Sequence, residues 1–181
     1  RKRNLLGNLK HTQTLASYLG ELHQQGIVHG DVKPDNLMIV KAKPFLIDFG
    51  LSTDLGGSFD HLDPSSNHVF GTPAYLAPEV FIPERTETKI TPKLDQYGLG
   101  IVLYEAATGK SPFKNMGLAQ ILEIKTKESE KYLDTARNLI PGCPSTVVDV
   151  IHRCTQVNPR QRYSSCGEVA EELKEIIKEI T

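Results

Sequence analysis

Apolar residues recur along the chain at spacings that predict a mainly helical domain. Over residues 12–24 they return every 3.6 residues, which is typical of an amphipathic helix, and Gly26 would end that helix. Over residues 94–108 they cover several faces, and Gly109 follows as the expected C-terminal glycine. We therefore expect this second helix to be the buried centre of the fold.

Short apolar runs between these two helices predict strands. Residues 27–29 form one β segment, and residues 37–40 and 45–47 form two more, with residues 41–44 turning between them. Three further helices are predicted over residues 118–127, over residues 146–156, and from the S-x-x-E capping box at residues 165–168. The predicted fold class is mainly α with short β-hairpins.

The composition is that of an ordinary globular domain. Of 181 residues, 39% are hydrophobic and 24% are charged, which suits one domain with a real core. The net charge of −1 predicts no general attraction to nucleic acid or to a membrane surface. No apolar run reaches membrane-spanning length and no signal peptide follows residues 1–4, so the expected location is cytoplasmic. The cysteines, which lack zinc or disulfide spacing, are expected to be reduced thiols at Cys143, Cys154 and Cys166.

The residues with candidate chemistry lie in two short stretches, HGDVKPDN at residues 29–36 and DFG at residues 48–50. Asp31 can accept a proton from a hydroxyl group, and Lys33 can neutralise charge on a moving phosphoryl group. Asn36 and Asp48 offer the oxygen ligands that Mg²⁺ prefers. Together these side chains are the set that phosphoryl transfer requires.

Both stretches resemble loops of the protein kinases, whose catalytic loop reads H-R-D-x-K-P-x-N and whose metal-binding loop reads D-F-G. Three later segments extend the resemblance in the same order, namely GTPAYLAPE at residues 71–79, DQYGLG at residues 95–100 and NPRQR at residues 158–162. The resemblance covers nearly the whole chain and implies a protein-kinase-like large lobe over residues 1–181. It implies a catalytic loop at 29–36, a metal-binding loop at 48–50 and an activation segment at 48–79.

The resemblance also implies what the site binds, which is ATP with Mg²⁺ and a protein substrate. Asp31 would be the catalytic base, and Lys33 would act in catalysis and contact the ATP phosphates. Asn36 and Asp48 would hold the metal ion and, through it, the nucleotide. Met38 would lie under the adenine ring, a role that is compatible with simple core packing.

Two residues indicate which kind of hydroxyl group receives the phosphoryl group. In the Ser/Thr kinases that the chain resembles, a lysine two residues after the catalytic Asp and a threonine in the later G-T segment bridge the Asp and the substrate hydroxyl. These are Lys33 and Thr72 here. Thr72 could instead only hold a turn before Pro73. The resemblance therefore implies transfer to Ser or Thr.

Five further residues are implied to act structurally. His29 would pack on Phe49, and Arg162 would form a buried pair with Glu79. Asp95 would hold the backbone of the catalytic loop. Losing Asp95 is expected to disturb catalysis without removing a reacting group.

A complete protein kinase also has a small, mostly β lobe, whose Gly-rich loop and strand lysine contact the ATP phosphates. Neither feature occurs before His29. We therefore expect a large lobe that lacks the small β lobe and needs that lobe, or a partner supplying it, for catalysis. Two alternatives stay open. One is a truncated pseudokinase or scaffold that binds protein partners. The other is a small-molecule phosphotransferase, although that class generally lacks the G-T-x-x-Y-x-A-P-E segment.

Gly30 stands where most kinases that need activation-loop phosphorylation have an arginine, whose guanidinium pairs with the phosphate. Without that partner, an added phosphate has less to hold it. We therefore predict that the double variant Ser65→Ala, Ser66→Ala of the intact protein keeps its activity, measured as phosphate transfer from ATP to a peptide. Loss of most of the activity would contradict this.

Overall fold

The structure is a computed structural model that describes residues 5–41, 43–48, 53–54, 72–81, 90–127 and 143–181. Within these ranges the helices are α1 (Leu5–Gln24), α2 (Pro92–Thr108), α3 (Leu118–Lys127), α4 (Ser145–Cys154) and α5 (Cys166–Glu179). The strands are β1 (Ile27–Val28), β2 (Leu37–Val40), β3 (Lys43–Leu46) and β4 (Thr53–Asp54). The mainly helical character is as predicted. None of the described helices is long and apolar enough to cross a bilayer.

Helix α2 is the centre of the fold. Its buried residues lie on every face and include Asp95, Leu99 and Ile101. Helices α1 and α4 pack against it, and α5 packs against both of them. Pro92 opens the helix at its first turn, and Gly109 ends it in the left-handed conformation with φ 65°. The prediction of a buried central helix with a C-terminal glycine is confirmed.

Helix α1 begins at Leu5, not at residue 12 as the apolar spacing predicted. Leu9 is fully buried and Leu5 packs against the core, so the buried stripe continues through the first two turns. Between them, Asn8 donates a hydrogen bond from Nδ2 to the main-chain oxygen of Ala106 on α2, at 2.7 Å. A polar residue thus takes part in the packing of these two helices, which apolar spacing alone does not reveal.

Strands β2 and β3 form the predicted hairpin, but its turn is shorter than predicted. The second strand is Lys43–Leu46 rather than residues 45–47, and Lys41 turns the chain with φ 48°. Pro44, predicted in the turn, lies in β3 opposite Ile39. A proline is tolerated there because both strands of a two-stranded sheet are edge strands.

Strand β1 and the start of α5 differ in detail from the prediction. Strand β1 ends at Val28 and pairs with β4, a short strand that the sequence did not predict. At the start of α5, Ser165 Oγ accepts the main-chain N–H of Glu168 at 3.1 Å, as a capping box requires. In a capping box the Glu168 carboxylate would accept the main-chain N–H of Ser165. Here it accepts the N–H and the hydroxyl of Ser164 instead, both at 2.7 Å.

Gly100 allows α2 to approach the C-terminal end of α4. A Cβ atom at Gly100 would lie 2.7 Å from Cβ of Cys154 and 2.7 Å from Cγ2 of Thr155. We predict that Gly100→Ala lowers the free energy of unfolding by about 1–3 kcal/mol through overpacking, less the roughly 1 kcal/mol gained in helix propensity. Urea unfolding of the purified chain measures this change.

The matched control is Gly117→Ala, because a Cβ atom there would meet nothing within 4 Å. Its unfolding free energy should stay within about 0.5 kcal/mol of the wild-type value. Equal stability of the two variants would show that the close approach at Gly100 is not a constraint.

Candidate active site

The Asp31 carboxylate is the centre of a tight polar cluster in the HGD loop, which we define as residues 29–36. Its Oδ2 accepts hydrogen bonds from Lys33 Nζ at 2.5 Å and from Asn36 Nδ2 at 2.9 Å. Asn36 Nδ2 also donates to the main-chain oxygen of Asp31 at 2.9 Å. The second carboxylate oxygen, Oδ1, is buried and has no hydrogen-bond partner within the described part of the chain. One oxygen is therefore held in place while the other can accept a proton.

Asn36 and Asp48 lie at the two ends of the β2–β3 hairpin. The main-chain N–H of Ile47 donates to the main-chain oxygen of Asn36 at 2.9 Å, which keeps the beginning and the end of the hairpin together. Asp48 is exposed and has φ 64°, a left-handed conformation that is uncommon outside glycine. The hairpin thus brings the two predicted metal ligands to one end of the sheet.

These two oxygen donors fit a phosphate-bound Mg²⁺. That ion usually keeps several waters and phosphate oxygens and takes only one or two ligands from the protein. Among the described residues, no group of three or more His, Cys, Asp or Glu side chains could hold a metal ion. A site completed by nucleotide oxygens suits this donor set better than a closed protein cage.

Asp95 connects the HGD loop to α2. Its carboxylate accepts the main-chain N–H of His29 and of Gly30, both at 2.8 Å. Gly30 has φ 81°, a conformation that glycine adopts without strain. The fully buried His29 ring accepts the N–H of Asp31 at Nδ1, at 3.3 Å. These bonds hold the main chain directly before Asp31.

His23 also contacts Asp95, and sequence analysis missed it. Its Nε2 lies 2.8 Å from Asp95 Oδ2, and the two side chains are 6% and 0% exposed. The available signal was its spacing, because His23 follows Leu15 by eight residues and Leu19 by four and so continues the buried stripe of α1. Through this one carboxylate, α1, α2 and the HGD loop meet.

The TPAYLA loop, residues 72–77, packs against the same helix. The Tyr75 hydroxyl donates to Glu105 Oε1 on α2 at 2.9 Å. Burial, followed by the neighbouring Glu105 charge, raises the pKa of Tyr75 well above its usual value. A Cβ atom at Gly98 would lie 2.8 Å from the main-chain oxygen of Val32 and 3.5 Å from the main-chain oxygen of Tyr75. Gly98 therefore lets α2 approach the HGD loop closely, while the TPAYLA loop lies at an ordinary contact distance.

Thr72 is expected to act on a bound substrate hydroxyl, and among the described residues its side chain is not hydrogen-bonded to Asp31 or Lys33. The hydrogen bonds of the Asp31 and Lys33 side chains in the described ranges run to Asn36 and to each other. The main-chain oxygen of Thr72 accepts the N–H of Tyr75 at 2.9 Å, as in a turn. The role of Thr72 in positioning a substrate stays a prediction.

Lys125 on α3 is a second residue that sequence analysis missed. It is fully buried, and its Nζ donates to the main-chain oxygens of Pro73, at 2.8 Å, and of Leu76. Burial lowers the pKa of Lys125 well below its usual value, and the Glu79 charge opposes that shift. Lys125 follows Ile121 by four residues, on the apolar stripe of α3, and this spacing was the available signal.

Glu79 and Arg162 form a buried, bidentate ion pair. Nη1 and Nη2 of Arg162 lie 2.7 Å and 2.8 Å from the two Glu79 carboxylate oxygens. Arg162 also donates to the main-chain oxygens of Gln156 and Lys93, each at 2.8 Å. The pair expected between these residues is present, and it links the 3₁₀ turn Pro78–Phe81 to the segment before α5.

The remaining predicted residues are placed less fully. Met38 stands on the hairpin with 47% of its surface exposed, opposite Phe45. Phe49 lies outside the described residues, so its packing with His29 stays a prediction. The same holds for Ser65 and Ser66.

Comparison with known families supports the kinase interpretation of this geometry. A family model described as the protein kinase domain matches residues 9–176. The chain belongs to the protein kinase family. The assignment of the HGD loop as the catalytic loop and of residues 48–50 as the metal-binding loop stays a prediction.

Curated relatives are serine/threonine-protein kinases. The chain is 32% identical over 164 residues to PrkC of Bacillus subtilis, covering 90% of this chain and 24% of that kinase. It is 34% identical over 163 residues to PkaA of Streptomyces coelicolor, covering 85% and 26%. It is 32% identical over 163 residues to serine/threonine-protein kinase D2 of Rattus norvegicus, covering 84% and 16%. The chain therefore spans about a quarter of the two bacterial kinases and less of the rat kinase.

The Glu79–Arg162 pair yields a stability prediction. Arg162→Met should lower the free energy of unfolding by about 3–5 kcal/mol, because Glu79 would stay buried without its partner. The change is measured by urea unfolding of the purified chain.

Arg153→Met is the matched control. Arg153 contacts Glu168 at 3.2 Å with the two side chains 45% and 38% exposed, and its guanidinium lies 4.0 Å from the Tyr163 ring centroid. Exposed contacts of these kinds each contribute at most about 1 kcal/mol. A loss for Arg162→Met no larger than for Arg153→Met would mean that burial of the pair does not matter.

Proposed function

We propose that the protein is a Ser/Thr protein kinase that transfers the γ-phosphoryl group of ATP to protein hydroxyls with Mg²⁺, and that residues 1–181 form its large lobe. The observation that carries this proposal is the Asp31 carboxylate, held at Oδ2 by Lys33 and Asn36 while Oδ1 can accept a proton. In phosphoryl transfer the protein mainly positions the nucleophile and balances charge. The HGD loop supplies both functions.

Asp31 orients the acceptor. A Ser or Thr hydroxyl that donates to Oδ1 loses its proton to this oxygen as its own oxygen bonds to the γ-phosphorus of ATP. The bond from that phosphorus to the bridging oxygen of ADP breaks in the same step, and ADP leaves. Lys33, whose Nζ lies 2.5 Å from Oδ2, stands beside this position and balances the charge of the phosphoryl oxygens. The bonds made by His29, Gly30 and Asn36 hold the surrounding main chain, so the carboxylate itself is already in place, and a substrate hydroxyl needs access to the buried Oδ1.

Asn36 and Asp48 would hold the metal ion. Bound Mg²⁺ supplies charge neutralisation at the phosphate oxygens. The two donors are an amide oxygen and a carboxylate, the hard ligands that this ion selects. The exposed position of Asp48 leaves room for nucleotide oxygens to complete the coordination.

The other half of the nucleotide site is proposed to come from a small β lobe or from a partner supplying it. Five apolar side chains on the β2–β3 hairpin and directly after it support this, because they are between 38% and 50% exposed, and these are Met38, Ile39, Val40, Phe45 and Ile47. Leu37 and Leu46 of the same hairpin pack against the core instead. Exposed apolar side chains gathered on one short element are typical of a contact site. Met38 is the proposed contact for the adenine ring.

Lys33 and Thr72 support Ser or Thr as the acceptor, and so do the names of the relatives, all of which are called serine/threonine-protein kinases. The alternative of a small-molecule phosphotransferase has less support, since the TPAYLA loop packs against α2 beside the HGD loop as a protein-substrate platform would. A peptide is therefore the substrate to test.

The first test is Asp31→Asn in the intact protein. The amide cannot take up the hydroxyl proton, so phosphate transfer from ATP to a Ser/Thr peptide should fall by roughly 10²–10⁴-fold. ATP binding, measured by calorimetric titration with Mg²⁺, should be unchanged. Full transfer activity in this variant would remove Asp31 from the mechanism.

The same titration tests the metal ligands. Asp48→Ala should abolish the Mg²⁺-dependent part of ATP binding, whereas Asp149→Ala, which removes an exposed carboxylate from α4, should leave it intact. If the wild-type protein binds no ATP or transfers no phosphate, the pseudokinase or scaffold alternative replaces the proposed function.

A further inference from the structure

We propose that Lys125 on α3 is a positioning residue for the protein substrate, because it holds the main chain of the TPAYLA loop through two hydrogen bonds. This inference rests on the proposed kinase function, in which that loop receives the substrate segment. The catalytic and metal-binding residues assigned above do not include Lys125, and its hydrogen bonds within the described residues go to the TPAYLA loop. Its hydrogen bonds are made to the loop that would receive the substrate segment.

The burial of Lys125 and the two hydrogen bonds of its ammonium group support this role. Lys125 is fully buried although lysine is almost never buried without a partner. Its Nζ donates to two main-chain oxygens that lie three residues apart, those of Pro73 at 2.8 Å and of Leu76. One ammonium group therefore closes a short segment of loop across its two ends.

The surroundings suit a cation. Nζ lies 4.6 Å from the ring centroid of Tyr97 on α2 and 4.9 Å from that of Phe113, within the range of cation–π attraction. The negative charge of Glu79 also favours the charged amine, while the positive charge of Arg162 opposes it. A neutral amine would still have two N–H donors for the two carbonyl groups, so the loop contact does not depend on the charge alone.

The hydrogen bonds of Lys125 are made to the loop, whereas its cation–π contacts are made to two rings of the core. Both hydrogen-bond acceptors belong to the TPAYLA loop, and α3 packs on the 3₁₀ turn Pro78–Phe81 that follows it. The same loop is held on its other side by the Tyr75 hydroxyl and Glu105. Two anchors on two helices therefore set the shape of the segment that would meet the substrate.

A residue with this role affects peptide binding and not nucleotide chemistry. Hydrogen bonds from a charged donor are among the stronger ones, and loss of one is worth about tenfold in a binding constant. In Lys125→Met of the intact protein, KM for a Ser/Thr peptide should rise about tenfold or more. KM for ATP and the rate of ATP hydrolysis without peptide should change less than about twofold.

Hydrogen exchange supplies a second measurement that needs no enzyme activity. In Lys125→Met, the amides of residues 74–77, including the Tyr75 N–H that bonds to Thr72, should exchange faster, while the amides of α2 keep their protection. Lys174→Met is the matched control, since it makes the same chemical change at an exposed position on α5. It should alter neither measurement.

The outcomes separate the two levels of the proposal. A folded Lys125→Met protein with wild-type peptide KM and unchanged loop exchange overturns the assignment of Lys125. Joint loss of protection in α2 and in the loop also overturns it, because Lys125 would then support the core as a whole. If the wild-type protein transfers no phosphate to peptide, the kinase proposal fails, and exchange in the loop still decides whether Lys125 holds it.

Discussion

The geometry of the candidate site depends on the buried carboxylate of Asp95. Transfer of an ionised carboxylate from water to a protein interior is strongly unfavourable unless hydrogen bonds replace the lost hydration. Here the ring of His23 and the main-chain N–H groups of His29 and Gly30 provide them, at 2.8 Å each. Because Asp95 sits in the first turn of the most buried helix, these bonds set the HGD loop, and with it Asp31, in a fixed relation to the core.

The same principle recurs at the second loop. Glu79, Arg162 and Lys125 are ionisable side chains that the described structure keeps almost wholly out of water, and each is bonded to a group of opposite charge or to main-chain oxygens. Such groups contribute little net stability, but their geometry is demanding because each unpaired member would be costly. They therefore fix the conformation of segments that have little regular structure of their own, and rigid helices come to position loops that would carry the chemistry.

The site is built from both rigid and open parts. Asp31 and Asn36 are buried and hydrogen-bonded to each other, whereas Asp48 and several apolar side chains of the β2–β3 hairpin, such as Met38 and Phe45, are exposed. This division fits the proposed assignment, in which the HGD loop orients the acceptor and the hairpin meets the nucleotide and a second lobe. Membership of the protein kinase family is consistent with that division, and the chain's limited share of its relatives' length leaves the whole protein's activity as a proposal.

The amino-acid sequence by itself determined the family, the central helix and the hairpin, because these depend on local spacing and on side chains that stand close together along the chain. The candidate residues in stretches 29–36 and 48–50 could be chosen on the same basis. Only the tertiary structure decided which distant groups satisfy the buried charges. His23 and Asp95 are 72 residues apart in the chain, and the Lys125 contacts to the TPAYLA loop span 52 and 49 residues. The positions of His23 and Lys125 on apolar helical stripes were the available signal for burial, but the identity of a partner depends on which helices pack together, and local spacing does not encode that.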